Sequence, residues 1–319
     1  MWRNLFRENN VRTLNEATVS GKIRYVVNLA ETLHDHRYAE IANQIAAREG
    51  VKLLLIAGPS SSGKTTSSKR LAMHMRVNGL NPIIISLDDY FRNRVDTPLD
   101  ENGEYDFECL EALDVPFLNE QLEALLAGRR VEIPKYDFAS GTRRFEGQEL
   151  KLSAGDVLIM EGIHGLNPGL TPQIPREEKF GLYVSVLTPL VVDEKTRMAS
   201  ADYRLLRRMV RDHQFRGMTA EDTILRWPSV RSGEEKYILP FKSLADAEFN
   251  SMLQYEIPMI KCYAEPLLQV IPEQSAAYGE ARRLLDLIRS VIAMTPADMR
   301  HIPPTSIVRE FIGGSSFHY

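Results

Sequence analysis

The sequence predicts an α/β fold in which helices cover both faces of a parallel sheet. The stretch 58–65 (GPSSSGKT) fits the pattern G-x-x-x-x-G-K-[ST]. A nearly all-apolar run at 51–57 precedes it, and a helix-forming stretch at 66–77 follows, so the motif lies between a strand and a helix. Three further apolar runs have the length of buried strands: 82–87, 156–160 and 180–187. Strands that alternate with helical patterns indicate a parallel sheet of the P-loop NTPase type.

The loop at 58–65 has the residue types that a phosphate-binding loop needs. Gly58 and Gly63 let the backbone adopt conformations that a Cβ would forbid, so that successive N–H groups can point at a phosphate. The following helix adds the partial positive charge of its N-terminus. Lys64 can reach the β- and γ-phosphates, and the Thr65 hydroxyl can bind Mg²⁺. The nucleotide-binding residues predicted here are Gly58, Ser60, Ser61, Ser62, Gly63, Lys64, Thr65 and Thr66, with ATP and Mg²⁺ as cofactors.

Acidic residues follow two of the predicted strands. Asp88 and Asp89 come directly after 82–87, and Glu161 ends the run 156–160. Ligands of open α/β sheets bind at the carboxyl ends of the strands, so these acids are well placed for chemistry. An acid in the position of Glu161 can supply a metal or water contact in a P-loop enzyme.

The middle of the chain predicts a small antiparallel insertion. Extended segments at 131–134 and 150–152 flank 135–138 (KYDF), with Gly141 and Gly147 as turn residues. A fifth strand is weakly marked near 245–249.

The chain divides by pattern into an N-terminal helical extension at 1–48, a P-loop domain at 49–292 and a C-terminal tail at 293–319. His34 and His36 in the extension suggest an exposed helix end rather than a metal pair, because no acid or cysteine cluster completes a site. For the tail, a disordered end is the default expectation, with docking on the body or on a partner subunit as the alternative.

The stretch 202–216 predicts a helix with two different sides. Arg204, Arg207, Arg208 and Arg211 share one face, and the apolar residues occupy the opposite face. The basic face can be solvated and paired with local acids. In a chain with a phosphate-binding loop, a lid that closes guanidinium groups over phosphates is the favoured interpretation.

Composition limits the function classes. The 319 residues are 44% hydrophobic and 26% charged, with a net charge of −4, which gives no reason to expect nucleic acid as a partner. Two cysteines without metal-ligand spacing favour a reducing cytoplasm. The first ten residues lack the apolar core of a signal peptide, and no run approaches a membrane span. A homo-oligomer is left open.

Several motifs together resemble the uridine kinase and phosphoribulokinase family, in the branch close to uridine kinases. The resemblance covers about residues 50–250 and follows the family's order. Its pieces are GPSSSGKTT (58–66), ISLDDYF (85–91), YDFECLEALD (105–114), IPKYDF (133–138), EG (161–162) and RLLRRMVRD (204–212).

The resemblance implies roles for individual residues. Asp88 matches the catalytic aspartate that accepts the proton of the acceptor hydroxyl, and Thr65, Asp88 and Glu161 would hold Mg²⁺. The implied catalytic set is Asp88, Lys64, Arg204, Arg208 and Arg211, with Arg207 on the nucleotide. Tyr136 and Phe138 match positions beside the nucleoside base, and Glu108 matches an aspartate that holds ribose hydroxyls. The implied substrate set is Asp88, Tyr90, Glu108, Tyr136, Phe138, Arg143 and Arg204.

Two residues depart from the family pattern. Gly141 lies near a position where uridine kinases commonly have a base-recognising histidine, and glycine cannot make that hydrogen bond. Glu108 is one methylene longer than the aspartate it replaces. Asp89 is the alternative to Asp88 as the base, although neighbouring strand residues point to opposite faces.

The sequence therefore predicts an ATP- and Mg²⁺-dependent kinase that phosphorylates the 5′-hydroxyl of a nucleoside, uridine or cytidine first. One rival is a kinase of another small alcohol or a sugar phosphate. A second rival is a non-catalytic ATP-binding regulatory module, which the presence of Lys64, Asp88 and Glu161 disfavours. A GTPase is disfavoured because the sequence has no N-K-x-D motif.

Overall fold

A five-stranded sheet, parallel throughout, lies at the centre of the computed structural model, which describes residues 10–101, 103–188, 190–193 and 195–318. Its strands are β1 (Leu53–Ala57), β2 (Asn81–Ser86), β5 (Asp156–Glu161), β6 (Lys179–Ser185) and β9 (Ala247–Asn250). They are hydrogen-bonded in the order β2-β5-β1-β6-β9. The predicted parallel sheet is confirmed, and the weakly marked fifth strand is β9.

The central strand β1 shows why both faces of the sheet are covered. Leu54 and Ile56 point into one hydrophobic cluster, whereas Leu53 and Leu55 point into another on the opposite face. All five residues of β1 are buried. A parallel strand with no solvated face reads as an uninterrupted apolar run, which is the pattern that the sequence displays.

The α-helices of the described residues cover the two faces of the sheet. They are α1 (Val11–Val19), α2 (Ile23–Ala47), α3 (Lys64–Val77), α4 (Val115–Leu126), α5 (Ser200–Phe215), α6 (Ala220–Tyr237), α7 (Glu256–Gln269), α8 (Tyr278–Arg289), α9 (Pro296–Met299) and α10 (Arg309–Ile312). α4 packs in the cluster that holds Leu53 and Leu55, and most of the other helices contribute to the opposite cluster. Within the described residues, no helix is both long enough and apolar enough to cross a bilayer.

The predicted insertion is an antiparallel hairpin of β3 (Val131–Asp137) and β4 (Thr142–Leu150). The Asp137 carboxylate accepts a hydrogen bond from Ala139 N (2.9 Å), and Gly141 completes the turn with a positive φ of 69°. A second ribbon, β7 (Leu190–Val191) with β8 (Arg197–Met198), has no counterpart in the sequence prediction.

The helix α2 corrects the expectation for the two histidines. α2 continues through both positions, and His34 is buried with its Nε2 3.1 Å from the carbonyl oxygen of Met252. Burial lowers the pKa of His34 to about 3, so this ring is neutral. His36 is exposed and lies 3.1 Å from Glu40. The interpretation as an exposed helix end was therefore wrong for His34. Residues two positions apart on a helix point in nearly opposite directions, so His34 faces the core and His36 faces solvent.

The C-terminal segment also differs from expectation, because it is packed rather than disordered. Ile302, Ile307, Val308 and Phe311 are buried in the same hydrophobic cluster as the sheet. The division at 48 and 292 stays a prediction, although α1 and α2 contribute to that cluster as well. Residues 1–9 of the predicted extension and Tyr319 of the predicted tail lie outside the described residues.

A buried ionic network joins α2 to the helix that follows the phosphate-binding loop. Glu31 accepts hydrogen bonds from Arg70 of α3 (3.0 Å) and from the Tyr255 hydroxyl (2.6 Å). Arg70 also donates to Asp35 at 2.6 Å. The side chains of Glu31 and Arg70 are 7% and 4% exposed, so each charge needs its partner to offset the hydration that it loses on burial.

Replacing Glu31 with alanine should lower the free energy of unfolding by about 3 kcal/mol, because Arg70 and the Tyr255 hydroxyl lose a buried partner. Urea unfolding followed by circular dichroism measures this loss. Glu40→Ala is the matched control on the same helix, since the exposed ion pair of Glu40 with Arg37 should contribute far less to stability than the buried network. Equal losses in the two variants would contradict the proposed importance of the buried network.

Candidate active site

The loop at 58–65, from here on the P-loop, connects β1 to α3 in a conformation that only certain residues permit. A Cβ on Gly58 would lie 2.0 Å from the carbonyl oxygen of Val184, so the backbone of β6 excludes any side chain there. Gly63 precedes α3 with φ 90°, and Ser61 also has a positive φ of 58°. These conformations turn the loop around the N-terminus of α3, the arrangement expected for a phosphate cradle.

Lys64 lies at the start of α3 within a group of acids. Its Nζ donates to the carbonyl oxygen of Pro59 at 3.2 Å. Burial lowers the pKa of Lys64, whereas the carboxylates of Glu161, Asp88 and Glu108 act in the opposite direction. The structure thus brings together the predicted lysine and three predicted acids from different parts of the chain.

The residues predicted to hold Mg²⁺ form a set of oxygen donors. The Thr65 hydroxyl donates to Glu161 Oε1 at 3.0 Å. Burial raises the pKa of Glu161, and the Asp88 charge adds to the rise; burial also raises the pKa of Asp88. In the described part of the chain, no three His, Cys, Asp or Glu side chains are grouped as a metal site. Two carboxylates and a hydroxyl still fit Mg²⁺, which prefers oxygen ligands and keeps several waters.

The adjacent acids Asp88 and Asp89 point to different surroundings. Both lie in a 3₁₀ turn (Leu87–Tyr90) that begins where β2 ends. Asp89 accepts a hydrogen bond from Tyr136 N at 3.2 Å and lies 3.4 Å from Lys135 Nζ, so it secures the hairpin. Asp88 influences Lys64 and Glu161 instead. This difference favours Asp88 over Asp89 for the chemistry.

Glu108 belongs to the same group. Burial raises its pKa to about 7, and Arg208 and Lys64 oppose that rise. The side chain packs on Gly233 of α6, where a Cβ would lie 2.5 Å from Glu108 Cβ. The preceding loop is fixed by Asp106, which accepts hydrogen bonds from Glu108 N (3.0 Å) and from the Tyr237 hydroxyl (2.9 Å).

His164, which the sequence reasoning missed, is buried three residues after Glu161. Burial lowers its pKa to about 4, and its ring meets the Tyr237 ring edge-on with centroids 6.3 Å apart. The stretch IHG at 163–165 follows Glu161 and Gly162 at the end of the strand, and this position is the signal that could have identified the histidine.

Arg207 corrects the prediction of a phosphate-binding lid. Its side chain is fully buried and forms a two-point ion pair with Glu256, at 2.5 and 2.7 Å. Its Nη1 donates to the carbonyl oxygens of Ser61 and Ser62, both at 3.3 Å, and its Nη2 donates to Ser251 O at 2.9 Å. Because its donors are engaged by protein groups, Arg207 supports the P-loop from behind and does not face a nucleotide.

Arg204 requires the same correction. It is fully buried, donates to Glu234 at 2.7 Å and to the carbonyl oxygen of Ser60 at 3.4 Å, and lies 5.5 Å over the Trp227 ring. The predicted roles of Arg204 in catalysis and substrate binding do not fit this position. Both sides of α5 are buried, and the helix is therefore part of the core rather than a lid with a free basic face.

Arg208 and Arg211 remain candidates for phosphate contacts. Their side chains are each 14% exposed, and both are paired with the buried Asp212. Arg208 also donates to the Ser60 hydroxyl of the P-loop at 2.8 Å. Arg216, which the prediction did not include, is a third cation on Asp212, at 3.6 Å. Three guanidinium groups around one carboxylate leave an excess of positive charge beside the P-loop.

The hairpin β3–β4 supplies an aromatic cluster. Tyr136 and Phe138 have ring centroids 5.1 Å apart, and Phe91 lies 5.5 Å from Tyr136. Phe138 is half exposed, with the Arg216 guanidinium 5.5 Å from its ring. Phe91 was missed, although it ends the motif ISLDDYF that carries Asp88.

Two predicted substrate residues have structural partners instead. Tyr90 is buried, and its hydroxyl donates to Gln121 at 2.8 Å, so the hydroxyl is engaged within the protein and the substrate contact stays a prediction. Both terminal nitrogens of Arg143 donate to Asp114 at 3.0 Å, and its guanidinium lies 4.8 Å over the Phe117 ring. Asp114 is the N-cap of α4, so Arg143 ties the hairpin to that helix.

Comparisons with known proteins identify the family of this chain. A family model described as "Phosphoribulokinase / Uridine kinase family" matches residues 53–258. A protein named uridine kinase from Deinococcus deserti is 32% identical over 192 residues, which are 60% of this chain and 83% of the relative. A uridine kinase from Bacillus cereus is also 32% identical, over 60% of this chain and 81% of the relative.

Among solved structures, "Structure of a Possible Uridine Kinase from Bacillus stearothermophilus" is 22% identical, with a TM-score of 0.45 over 67% of this chain and 97% of that chain. The family model and the two relatives carry the assignment, since the model matches most of the chain and the chain covers most of each relative. The chain belongs to the phosphoribulokinase/uridine kinase family and is an ATP-dependent phosphotransferase.

Proposed function

We propose that the protein transfers the γ-phosphoryl group of ATP to the 5′-hydroxyl of a nucleoside, with uridine or cytidine as the first candidates. The observation that carries the proposal is the convergence of Lys64, Asp88 and Glu108 beside the contact between Thr65 and Glu161. The relatives named uridine kinase support the choice of acceptor. The substrate is then a small molecule, and the cytoplasm is the proposed location.

In this reaction the acceptor oxygen attacks the γ-phosphorus, the bond to the β-phosphate oxygen breaks, and ADP leaves. Asp88 orients the hydroxyl and accepts its proton. Lys64 and the rim arginines Arg208 and Arg211 offset the negative charge on the transferred group, the kind of contact whose loss costs about 10²–10³ in rate. The residues of the P-loop hold the remaining phosphates through their N–H groups.

Thr65, Asp88 and Glu161 are the residues that would hold Mg²⁺. The bound ion supplies charge neutralisation on the β- and γ-phosphates. The contact of Thr65 with Glu161 and the effect of the Asp88 charge on Glu161 support this role, because two carboxylates that repel each other are stabilised by a cation.

Recognition of the acceptor falls to Glu108 and to the ring surface of Tyr136 and Phe138. In this proposal Glu108 accepts hydrogen bonds from ribose hydroxyls, and an aromatic face stacks on the base. At Gly141, a Cβ would lie 2.7 to 2.9 Å from the Arg94 side chain, and φ is 69°, so a histidine there would displace Arg94 and strain the backbone. This observation favours, as the second candidate, a kinase of another small alcohol or a sugar phosphate.

Replacing Asp88 with asparagine should lower kcat by about 10²–10⁴-fold, because the hydroxyl loses its proton acceptor. ADP production from ATP and Mg²⁺ is measured against a panel of nucleosides, sugar phosphates and small alcohols. Uridine or cytidine dependence that is lost in Asp88→Asn supports the proposal. The same loss with another acceptor replaces the substrate and keeps the mechanism.

Asp89→Asn is the matched control, since Asp89 faces Tyr136 N and Lys135. It should retain kcat within about tenfold, because the hairpin contact is only weakened. A larger loss in Asp89→Asn than in Asp88→Asn would reverse the assignment of the base. ATP binding without turnover on any acceptor would favour the regulatory module.

Replacing Glu161 with glutamine should raise the Mg²⁺ concentration for half-maximal turnover by at least about tenfold, because one anionic oxygen ligand is removed. The same shift should appear in Mg²⁺-dependent ADP binding measured by calorimetry. Glu177→Gln serves as the control, since Glu177 is exposed just before β6, at the amino ends of the strands and away from the proposed metal site. An unchanged Mg²⁺ requirement in Glu161→Gln would remove Glu161 from the metal site.

A further inference from the structure

The C-terminal segment places a carboxylate on the nucleotide side of the P-loop. The segment is fixed by the Arg309 guanidinium, which donates to Ile302 O at 2.8 Å, and by the Ser306 hydroxyl, 3.0 Å from the Tyr255 hydroxyl. Phe311 is buried with the Arg207 guanidinium 5.1 Å from its ring. These contacts hold the segment against Tyr255 and pack α10 on α5, and they fix the position of Glu310.

Glu310 forms its hydrogen bonds with the first turn of α3. One of its carboxylate oxygens accepts from Thr66 N at 3.1 Å and from the Thr66 hydroxyl at 2.6 Å. Thr66 is the third residue of α3, so its N–H is one of those that no carbonyl within the helix can satisfy. A carboxylate at this position also interacts favourably with the helix dipole.

The same N–H and hydroxyl belong to the nucleotide-binding set predicted from the P-loop. A phosphate oxygen that accepts from Thr66 would occupy the space of the Glu310 carboxylate, and the two anions would repel each other. Two neighbouring contacts bring the segment to the same place. Ile307 Cγ2 lies against Gly63, 2.8 Å from where a Cβ would be, and Lys69 donates to the carbonyl oxygen of His318.

We propose that Glu310 is an internal competitor for the phosphate position at Thr66, which must leave before a nucleotide binds there. The inference rests on the proposed location of the nucleotide at the P-loop. Glu310 is only partly buried, whereas Phe311 and Val308 beside it are buried. The carboxylate can therefore turn outward while the backbone of the segment keeps its packing. The resting protein binds nucleotide more weakly in proportion to the population in which Glu310 occupies Thr66.

The test is direct binding of ADP to the full chain by isothermal titration calorimetry. Glu310→Gln keeps the size of the side chain and removes its charge, and it should tighten ADP binding by about tenfold, within the usual range for coupled sites. Glu310→Asp keeps the charge but is one methylene too short for the contact, and it should tighten binding by at least about threefold. Glu177→Gln, at the amino ends of the strands, should leave the affinity for ADP unchanged.

Unchanged or weaker ADP binding in Glu310→Gln overturns the proposal, and weaker binding would make Glu310 part of the nucleotide site. A gain in Glu310→Gln without any gain in Glu310→Asp also overturns it, because the effect would then be one of charge at a distance. If one Glu310 variant does not fold, ADP binding by the other variant still tests the proposal. Failure of the proposed kinase site is a different outcome, in which neither the wild type nor any Glu310 variant binds ADP.

Discussion

The shape of the P-loop depends on the buried ion pair between Arg207 and Glu256. Both side chains are fully buried, and an unpaired guanidinium in such a place would cost several kcal/mol in lost hydration. The remaining donors of Arg207 bind Ser251 and the carbonyl oxygens of Ser61 and Ser62. With these carbonyls held on the arginine side, the loop can present N–H groups to the opposite side, where a phosphate would lie.

The same helix therefore serves two purposes in successive turns. Arg204 and Arg207 are matched with Glu234 and Glu256 and act on the backbone of the P-loop. Arg208 and Arg211 lie nearer the surface and share one acid, Asp212. Arg207 has Glu256 as its partner, and Arg204 and Arg231 are balanced by Glu234 and Glu235, whereas three arginines share the single carboxylate of Asp212 and retain charge for a ligand. The ratio of acids to arginines thus separates structural arginines from candidate phosphate contacts.

The partners of each arginine explain which parts of the molecule could be predicted from the sequence. The P-loop, the strands and the acids at their ends follow from local patterns, because the signal for each lies within about ten consecutive residues. The arginine stripe of α5 is also local, but its meaning depends on Glu234 and Glu256, which are 30 and 49 residues from their partners. Periodicity shows that four arginines share a face and does not show what packs against it.

Long-range packing also accounts for the other differences. His34 is buried because Met252 and Phe249 lie beside it, more than 200 residues along the chain. The lack of space at Gly141 is set by Arg94, which precedes it by 47 residues and donates to the carbonyl oxygen of Phe138. The sequence identified Gly141 as a departure from the family pattern, but only the tertiary contact gives the physical reason.

The contact between Glu310 and Thr66 gives the nucleotide site a specific electrostatic character. The first turn of α3 has N–H groups and a dipole that favour an anion, and in this structure a residue of the same chain supplies one. Binding of a nucleotide is then an exchange of one anion for another, and its free energy is the difference between two favourable interactions. Because α10 packs on Arg207 through Phe311, the segment that supplies the internal anion also contacts the ion pair that shapes the P-loop. Any change that loosens α10 would thus act on both the competitor for the phosphate position and the support of the loop that forms it.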